Sequence, residues 1–456
     1  MMTHVRKSLF LSIFFLSSIC LFSLRPAHAV EVTFEEDHRL PLVYLNVAVK
    51  AGSVTDPKGQ NGMTNFMGEL MLRGTKSRSK EQLDRALDQL GARLDVETRA
   101  EALIFRGSVL SSQLGPFLNL VREILTEPSF PDGESKKLKS EITSVIQEEL
   151  GHDSTLASRR FTRFLFRDHP YGKPVLGKIK DVQNLTREQI LAHYNRLIQD
   201  ETLLIVGSGD VSSGQIADWA KTLVHDGDHP PPYEMVDAPK NPDKRRLLII
   251  DKPERTQTQI NFGQIGIKMT DADYFPLYLG NYAFGGPSFS AILMTEIRVK
   301  RGWSYGANSI FRFGLQPRSW QVHLFPAAKD TPNALAYSLK LVEDLKNQGL
   351  TSDKFEFAKK SLINSSGFMY NTPKKRVENK LLEKTLKLPD GFMKSYAGEL
   401  KSVNLSKVND ALKRFLTPDR ASIAVLGTAK ELKAPLAKSA GVSENEVEVI
   451  HYTLED

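Results

Sequence analysis

The stretch Gly62-Met63-Thr64-Asn65-Phe66-Met67-Gly68-Glu69-Leu70-Met71-Leu72-Arg73-Gly74-Thr75 decides how the chain is read. It predicts an amphipathic helix closed by glycine, since apolar residues recur at helical spacing and Gly74 follows the last of them. Before it, residues 43–49 alternate as a half-buried strand, and Ala51-Gly52-Ser53 and Asp56-Pro57-Lys58-Gly59 supply turn chemistry. After it, residues 79–90 predict a helix with Leu83, Leu87 and Leu90 on one face. Residues 91–98 read as a strand of alternating charge suited to a sheet edge, and residues 102–110 as another strand. Residues 114–125 and 132–151 read as helices, the second carrying Glu141, Glu148 and Glu149. Thr186 caps a helix that runs to Leu197 and leads into a buried strand over residues 201–211.

The second half repeats this plan. Strands are expected at residues 246–251 and 257–263, and helices at residues 274–284, 291–300, 330–348 and 352–371. The ends of the halves match best: Asn404-Leu405-Ser406 opens a helix that runs into a strand over residues 420–428, as Asn184-Leu185-Thr186 does before residues 201–211. An offset of about 220 residues points to duplication of one unit. The expected fold is α+β: two homologous domains, each a mixed or antiparallel sheet with helices on one face, arranged as a clam-shell. The domains are residues 30–224 and 246–456. Between them, residues 225–245 form a polar, Pro-rich linker containing His225-Asp226-Gly227-Asp228-His229-Pro230-Pro231-Pro232. Glycine and three prolines there exclude a helix that would fix His225 and His229 as a metal pair.

Residues 1–29 are expected to be a secretory signal peptide. Arg6 and Lys7 form the basic start, residues 8–24 the apolar run, and Ala27-His28-Ala29 a small-x-small cleavage site. The expected location is therefore periplasmic, with no membrane span after cleavage. Removing the leader takes away Cys20, the single cysteine, and with it any disulfide or cysteine nucleophile. It also lowers the formal charge from +7 to +4, and no Lys/Arg stripe marks a nucleic-acid surface.

Taken in order, several motifs resemble the inverzincin peptidases, the superfamily of pitrilysin, insulinase and mitochondrial processing peptidase. They are Ala51-Gly52-Ser53, the Asp56-Pro57 turn, Gly62, Arg73-Gly74-Thr75, Gly91-Ala92, His169-Pro170-Tyr171-Gly172, Leu176-Gly177, Gln257, Gly285-Gly286, and Glu296-Ile297-Arg298-x-x-Arg301-Gly302-x-x-Tyr305. Active members carry His-x-x-Glu-His on the opening helix: two histidines on one helix face bind Zn²⁺, and the glutamate activates a water. Here Asn65 stands for the first histidine, Gly68 for the base and Glu69 for the second histidine, while Glu149 aligns with the third ligand. Asn65 is a poor zinc ligand, Gly68 cannot take a proton, and Glu69 lacks the imidazoles that supply affinity. The remaining histidines of the mature chain (His38, His152, His169, His193, His225, His229, His323 and His451) form no i, i+4 pair around a glutamate on a helix. No Gly-x-Ser-x-Gly elbow offers a serine route.

The resemblance gives Arg298 and Tyr305 a different status. On residue type alone they would be a surface ion-pair partner and a strand aromatic. In the family, an arginine and a tyrosine of the C-terminal domain bind substrate backbone and polarise the scissile carbonyl. Some family members divide this work between a His-x-x-Glu-His subunit and a second subunit that keeps the arginine and tyrosine. The chain resembles the second kind. The expectation is a non-catalytic, substrate-binding subunit of a heteromeric zinc metallopeptidase, inactive alone, with zinc on the partner, none in this chain, and peptide as substrate. The alternative is a peptide-binding or scaffold protein with no catalysis. A hydrolase with a divergent metal site at Glu69 and Glu149 is the third reading. Residues 94–98, at the expected edge, are a candidate for pairing with extended peptide.

Overall fold

The computed structural model describes residues 30–223 and 236–455. The leader with Cys20, and His225 and His229 of the linker, lie outside the described residues.

The strands fall into two sheets. The first contains β1 (Glu31–Glu36), β2 (Leu42–Val49), β3 (Arg93–Thr98), β4 (Leu103–Leu110) and β5 (Leu203–Gly209) in the order β1-β5-β2-β4-β3. The second contains β6 (Arg246–Asp251), β7 (Gln259–Ile265), β8 (Ser304–Phe311), β9 (Ser319–Pro326), β10 (Ser422–Gly427) and β11 (Glu448–His451) in the order β11-β6-β10-β7-β9-β8. Apart from β11, the second order is the first with every label advanced by five. The pairing senses match too: β1 and β5 are parallel, as are β6 and β10, and the other pairs of each core are antiparallel. The repeated unit read in the sequence is therefore a repeated topology. The charged strand β3 lies at a sheet edge, as its alternating charge implied.

Each sheet buries one face against helices of its own half. In the first half, Val43, Leu45, Val47 and Val49 of β2 pack with Phe66, Met67 and Leu70 of the helix Met63–Met71 and with Phe117 of the helix Leu114–Thr126. Burying side chains of this size stabilises by roughly 1.5–3 kcal/mol each. Sequence signals set the helix starts. Ser79 and Thr186 form reciprocal capping boxes with Gln82 and Gln189. The opening helix has no side-chain cap of its own. Its N-cap Gly62 adopts φ 90°, and the carboxylate of Asp56 accepts hydrogen bonds from the Gly62 N–H (2.7 Å) and the Thr64 N–H (2.9 Å).

The expectation of helices on one face only is corrected by the structure. The helix Asp153–Phe166 of the first half crosses to the second sheet. Its Ala157, Phe161 and Leu165 join one core with Leu248, Ile250, Ala424 and Leu426. Reciprocally, Val377 and Leu381 of the helix Pro373–Thr385 pack on Ala48, Ile104, Leu204 and Val206 of the first sheet. Ion pairs flank both crossings: Lys252 meets Asp153 at 2.6 Å, and Arg106 meets Glu378 at 2.5 Å. The two halves are thus not independent units either side of a linker, because each sheet is completed by the other half. The helix expected over residues 352–371 ends at Ser366, and that expected over residues 291–300 is a π-helical segment, Met294–Val299.

Candidate functional site

The opening helix is almost wholly interior. Asn65 and Gly68 are buried and Glu69 is half-buried. A Cβ on Gly68 would lie 2.6 Å from Leu103 Cδ1 and 3.3 Å from Val96 Cγ2, so side chains of β3 and β4 pack directly against this glycine. Burial pushes the Glu69 carboxyl above its ordinary value. Glu141 and Asp95 add to the rise, and Arg73 opposes it. Arg73 in turn reaches Glu141 (Nη1–Oε1 3.1 Å). Glu149 is not part of this group: its Oε2 accepts from Arg159 Nη1 at 2.8 Å. Among the described residues no three His, Cys, Asp or Glu side chains are gathered to hold a metal. The donor set at Asn65, Glu69 and Glu149 does not fit Zn²⁺, which prefers imidazole and thiolate in a tetrahedral site.

Sequence reading missed a buried polar cluster beside this helix. Thr64 Oγ1 donates to Asp56 Oδ1 at 2.6 Å and lies 2.9 Å from His193 Nε2. Burial pushes Asp56 up to about 6, against the hydrogen bonds from Thr64 and Gly62, and pushes His193 down to about 4. All three side chains are buried, so the cluster locks the helix start and presents no nucleophile to solvent. The Asp56-Pro57 turn was visible in the sequence, but its partner lies far along the chain and no local signal connects them. The glycine motifs are joined here as well. A Cβ on Gly62 would lie 2.7 Å from Gly177 Cα, so Gly62 and Gly177 pass backbone to backbone.

The second-half motif divides into a support and a presented pair. Glu296 accepts from Lys300 Nζ (2.6 Å), Arg301 Nη1 (2.8 Å) and Tyr337 OH (2.9 Å). Burial opposes ionisation of Glu296, but these hydrogen bonds outweigh it and hold the carboxyl at about 2. The Arg301 guanidinium lies over the Tyr337 ring, 3.6 Å from its centre. Glu296 and Arg301 therefore brace the π-helical turn. Arg298, on the same turn, lies 3.9 Å from the centre of the Tyr305 ring and 5.0 Å from that of Phe289. Tyr305 is 74% and Phe289 69% exposed. Among the described residues no carboxylate or carbonyl pairs with the Arg298 guanidinium, whose contacts are these two rings. Tyr305 sits in a bulge between Ser304 and Ala307 of β8, the edge strand of the second sheet, and the bulge turns it out of the ladder. The structure thus brings Arg298 and Tyr305 together and adds Phe289, which the sequence motif did not include.

Comparison with known proteins decides the family. The chain matches the family description "Insulinase (Peptidase family M16)" over residues 31–178 and "Peptidase M16 inactive domain" over residues 184–362. The chain belongs to peptidase family M16. It is similar to a Helicobacter pylori protein called "Non-peptidase homolog YmxG", 22% identical and covering 89% of this chain and 93% of that one. It is also similar to a Bacillus subtilis protein called "Uncharacterized zinc protease YmxG", at 19% identity over 86% of this chain and 95% of that one. Among solved structures, a Pseudomonas fluorescens peptidase M16 inactive domain matches with a TM-score of 0.82 at 22% identity, covering 88% of this chain and 96% of that chain. A Helicobacter pylori protease matches with a TM-score of 0.77 at 15% identity, covering 87% and 97%. These likenesses establish the M16 fold across both halves. No helix of the described residues is long and apolar enough to cross a membrane.

Proposed function

We propose that this M16 chain is the non-catalytic, substrate-binding subunit of a heteromeric periplasmic zinc peptidase. Its role is to present Arg298 and Tyr305 to the zinc site of a homologous His-x-x-Glu-His subunit, with peptide as the shared substrate and zinc held by that partner. The observation that carries the proposal is the Arg298 guanidinium, held over the Tyr305 ring and beside Phe289 with no hydrogen-bond partner among the described residues. A guanidinium so held can donate two fixed hydrogen bonds to a peptide carbonyl, and an exposed phenol can donate one to a developing oxyanion. The filled space at Gly68 supports placing the hydrolytic base elsewhere. The name of the Helicobacter pylori relative, a non-peptidase homologue, is consistent with this reading.

The test is reconstitution. The mature chain is mixed with the candidate His-x-x-Glu-His subunit and peptide cleavage is followed. Arg298→Ala and Tyr305→Phe are expected to lower kcat/KM by about 10²-fold, the scale of losing an oxyanion donor, while the complex still assembles. Full activity of both variants in an assembled complex would sink the proposal. The free edge of β3 favours a second reading, a peptide-binding scaffold without catalysis. That reading gains if the chain binds peptide but adds nothing to any catalytic homologue. Stoichiometric zinc in the purified mature chain, lost on Glu69→Ala or Glu149→Ala, would instead establish a divergent metal site.

A further inference from the structure

We infer that Phe289 is a positioning residue for Arg298: together with Tyr305 it clamps the guanidinium, from a loop that Gly285 and Gly286 pin in place. Only the purpose of the clamped arginine rests on the function proposed above; the clamp itself does not. The π-helical turn and the two residues after it carry three cations, Arg298, Lys300 and Arg301, and one acid, Glu296. That acid is taken by Lys300 and Arg301. Among the described residues Arg298 makes no hydrogen bond or ion pair, and its guanidinium meets the rings of Tyr305 at 3.9 Å and Phe289 at 5.0 Å. A carboxylate partner would occupy the N–H donors of a guanidinium. An aromatic ring attracts the same charge and leaves those donors free for a substrate carbonyl.

Phe289 does not serve the core. Its ring is mostly exposed and belongs to none of the apolar clusters, yet its loop is tied down on three sides. At the loop start Gly285 lies against β8: a Cβ there would meet the Ser309 backbone N at 2.5 Å, and Ser309 Oγ donates to Asn281 Oδ1 at 2.7 Å. A Cβ on Gly286 would meet the Tyr282 carbonyl oxygen at 2.7 Å, so only glycine lets the chain leave the helix Tyr274–Gly285 this closely. The Phe289 carbonyl accepts from Thr295 Oγ1 at 3.4 Å, on the same π-helical turn as Arg298. One residue on, the Ser290 carbonyl accepts from Lys354 Nζ of the helix Ser352–Ser366 at 2.7 Å. The Gly285-Gly286 motif thereby gains a part in the site: it fixes where the Phe289 ring stands.

A free arginine side chain samples many rotamers. One held against two rings has lost much of that freedom before substrate arrives, so directed hydrogen bonds to a carbonyl cost less to form. Phe289 acts through Arg298 and not on the substrate. Its removal should therefore weaken the site only as far as it loosens Arg298.

The mature chain alone gives the first readout. The Arg298 Nε–H signal is followed by NMR and assigned by its loss in Arg298→Lys. In Phe289→Ala it is expected to move towards the position of free arginines, and its proton to exchange with water about tenfold faster, the scale of one lost cation–ring contact. Phe289→Tyr should keep the wild-type signal and Phe289→Leu should not, with the melting temperature unchanged in every variant. The second readout is peptide cleavage by the complex with the His-x-x-Glu-His subunit. Phe289→Ala is expected to lower kcat/KM about tenfold, Phe289→Tyr to restore it, and Phe289→Ala to cost nothing further once Arg298→Ala is present. An unmoved Arg298 signal, a signal that Phe289→Leu fully restores, or a loss of activity that persists in the Arg298→Ala background overturns the inference. So does a moved signal with full activity in Phe289→Ala, where Arg298→Ala itself is impaired. If Arg298→Ala keeps full activity, the proposed subunit function fails instead, and the NMR readout alone upholds or overturns the clamp.

Discussion

Gly68 shows how closely the opening helix packs on its sheet. A Cβ there would meet the side-chain tips of Leu103 at 2.6 Å and Val96 at 3.3 Å, so any side chain must displace them. Gly68→Glu is expected to destabilise the chain by about 1–3 kcal/mol through overpacking and burial of a carboxyl, read as a lower urea midpoint, and to confer no hydrolysis. His193 makes a second prediction, about pH. Its folded value, about 4, lies below the ordinary value near 6.5, so the unfolded chain takes up the proton first as pH falls. Stability attached to neutral His193 is complete above pH 6.5 and is lost as pH falls towards 4. Asp56, raised to about 6, works in the opposite sense over much of that range, since the folded chain holds its proton more tightly. The contribution of His193 is therefore exposed by difference. The stability of the wild type minus that of His193→Gln should fall by roughly 3 kcal/mol between pH 7 and pH 4 in urea titrations. A constant difference would contradict the assigned shift.

At the scale of elements, legibility in the sequence followed the locality of the signal. The strand β2 alternates, Ser79 and Thr186 cap their helices, and Gly62 to Thr75 has helical spacing, because each is decided by neighbours along the chain. The crossing helix Pro373–Thr385 was not read this way. Its sequence, Pro373-Lys374-Lys375-Arg376-Val377-Glu378-Asn379-Lys380-Leu381-Leu382-Glu383-Lys384-Thr385, is mostly charged and resembles a surface helix. Its narrow apolar stripe nevertheless fills the far face of a sheet formed more than 150 residues earlier in the chain. The π-helical turn was likewise read as plain helix, since the brace from Glu296 to Tyr337 is a contact between separate elements. Leu381 is fully buried at the crossing. Leu381→Ala is expected to cost about 2–5 kcal/mol, and the loss should appear in the unfolding of both halves together rather than of one. Two separated transitions in the wild type would contradict the reciprocal packing.

At the scale of the molecule, the duplicated topology and the exchanged helices make one body of two similar halves. The apolar crossings and their flanking ion pairs, rather than the chain between residues 225 and 245, hold the halves together. A protease site introduced within residues 225–235 and cut to completion is expected to leave both fragments co-eluting at the size of the intact chain. Separation of the fragments under native conditions would show the crossings too weak for this role. The sequence by itself determined the repeated α+β plan and the edge character of β3. These are written in residue type, spacing and local periodicity. Only the tertiary structure decided that Gly68 is closed by Leu103, that Glu149 belongs to Arg159, that Phe289 joins Arg298, and that each sheet is completed by the other half. Those outcomes depend on contacts between residues far apart in the chain, where packing and charge neutralisation choose among partners that periodicity alone cannot rank.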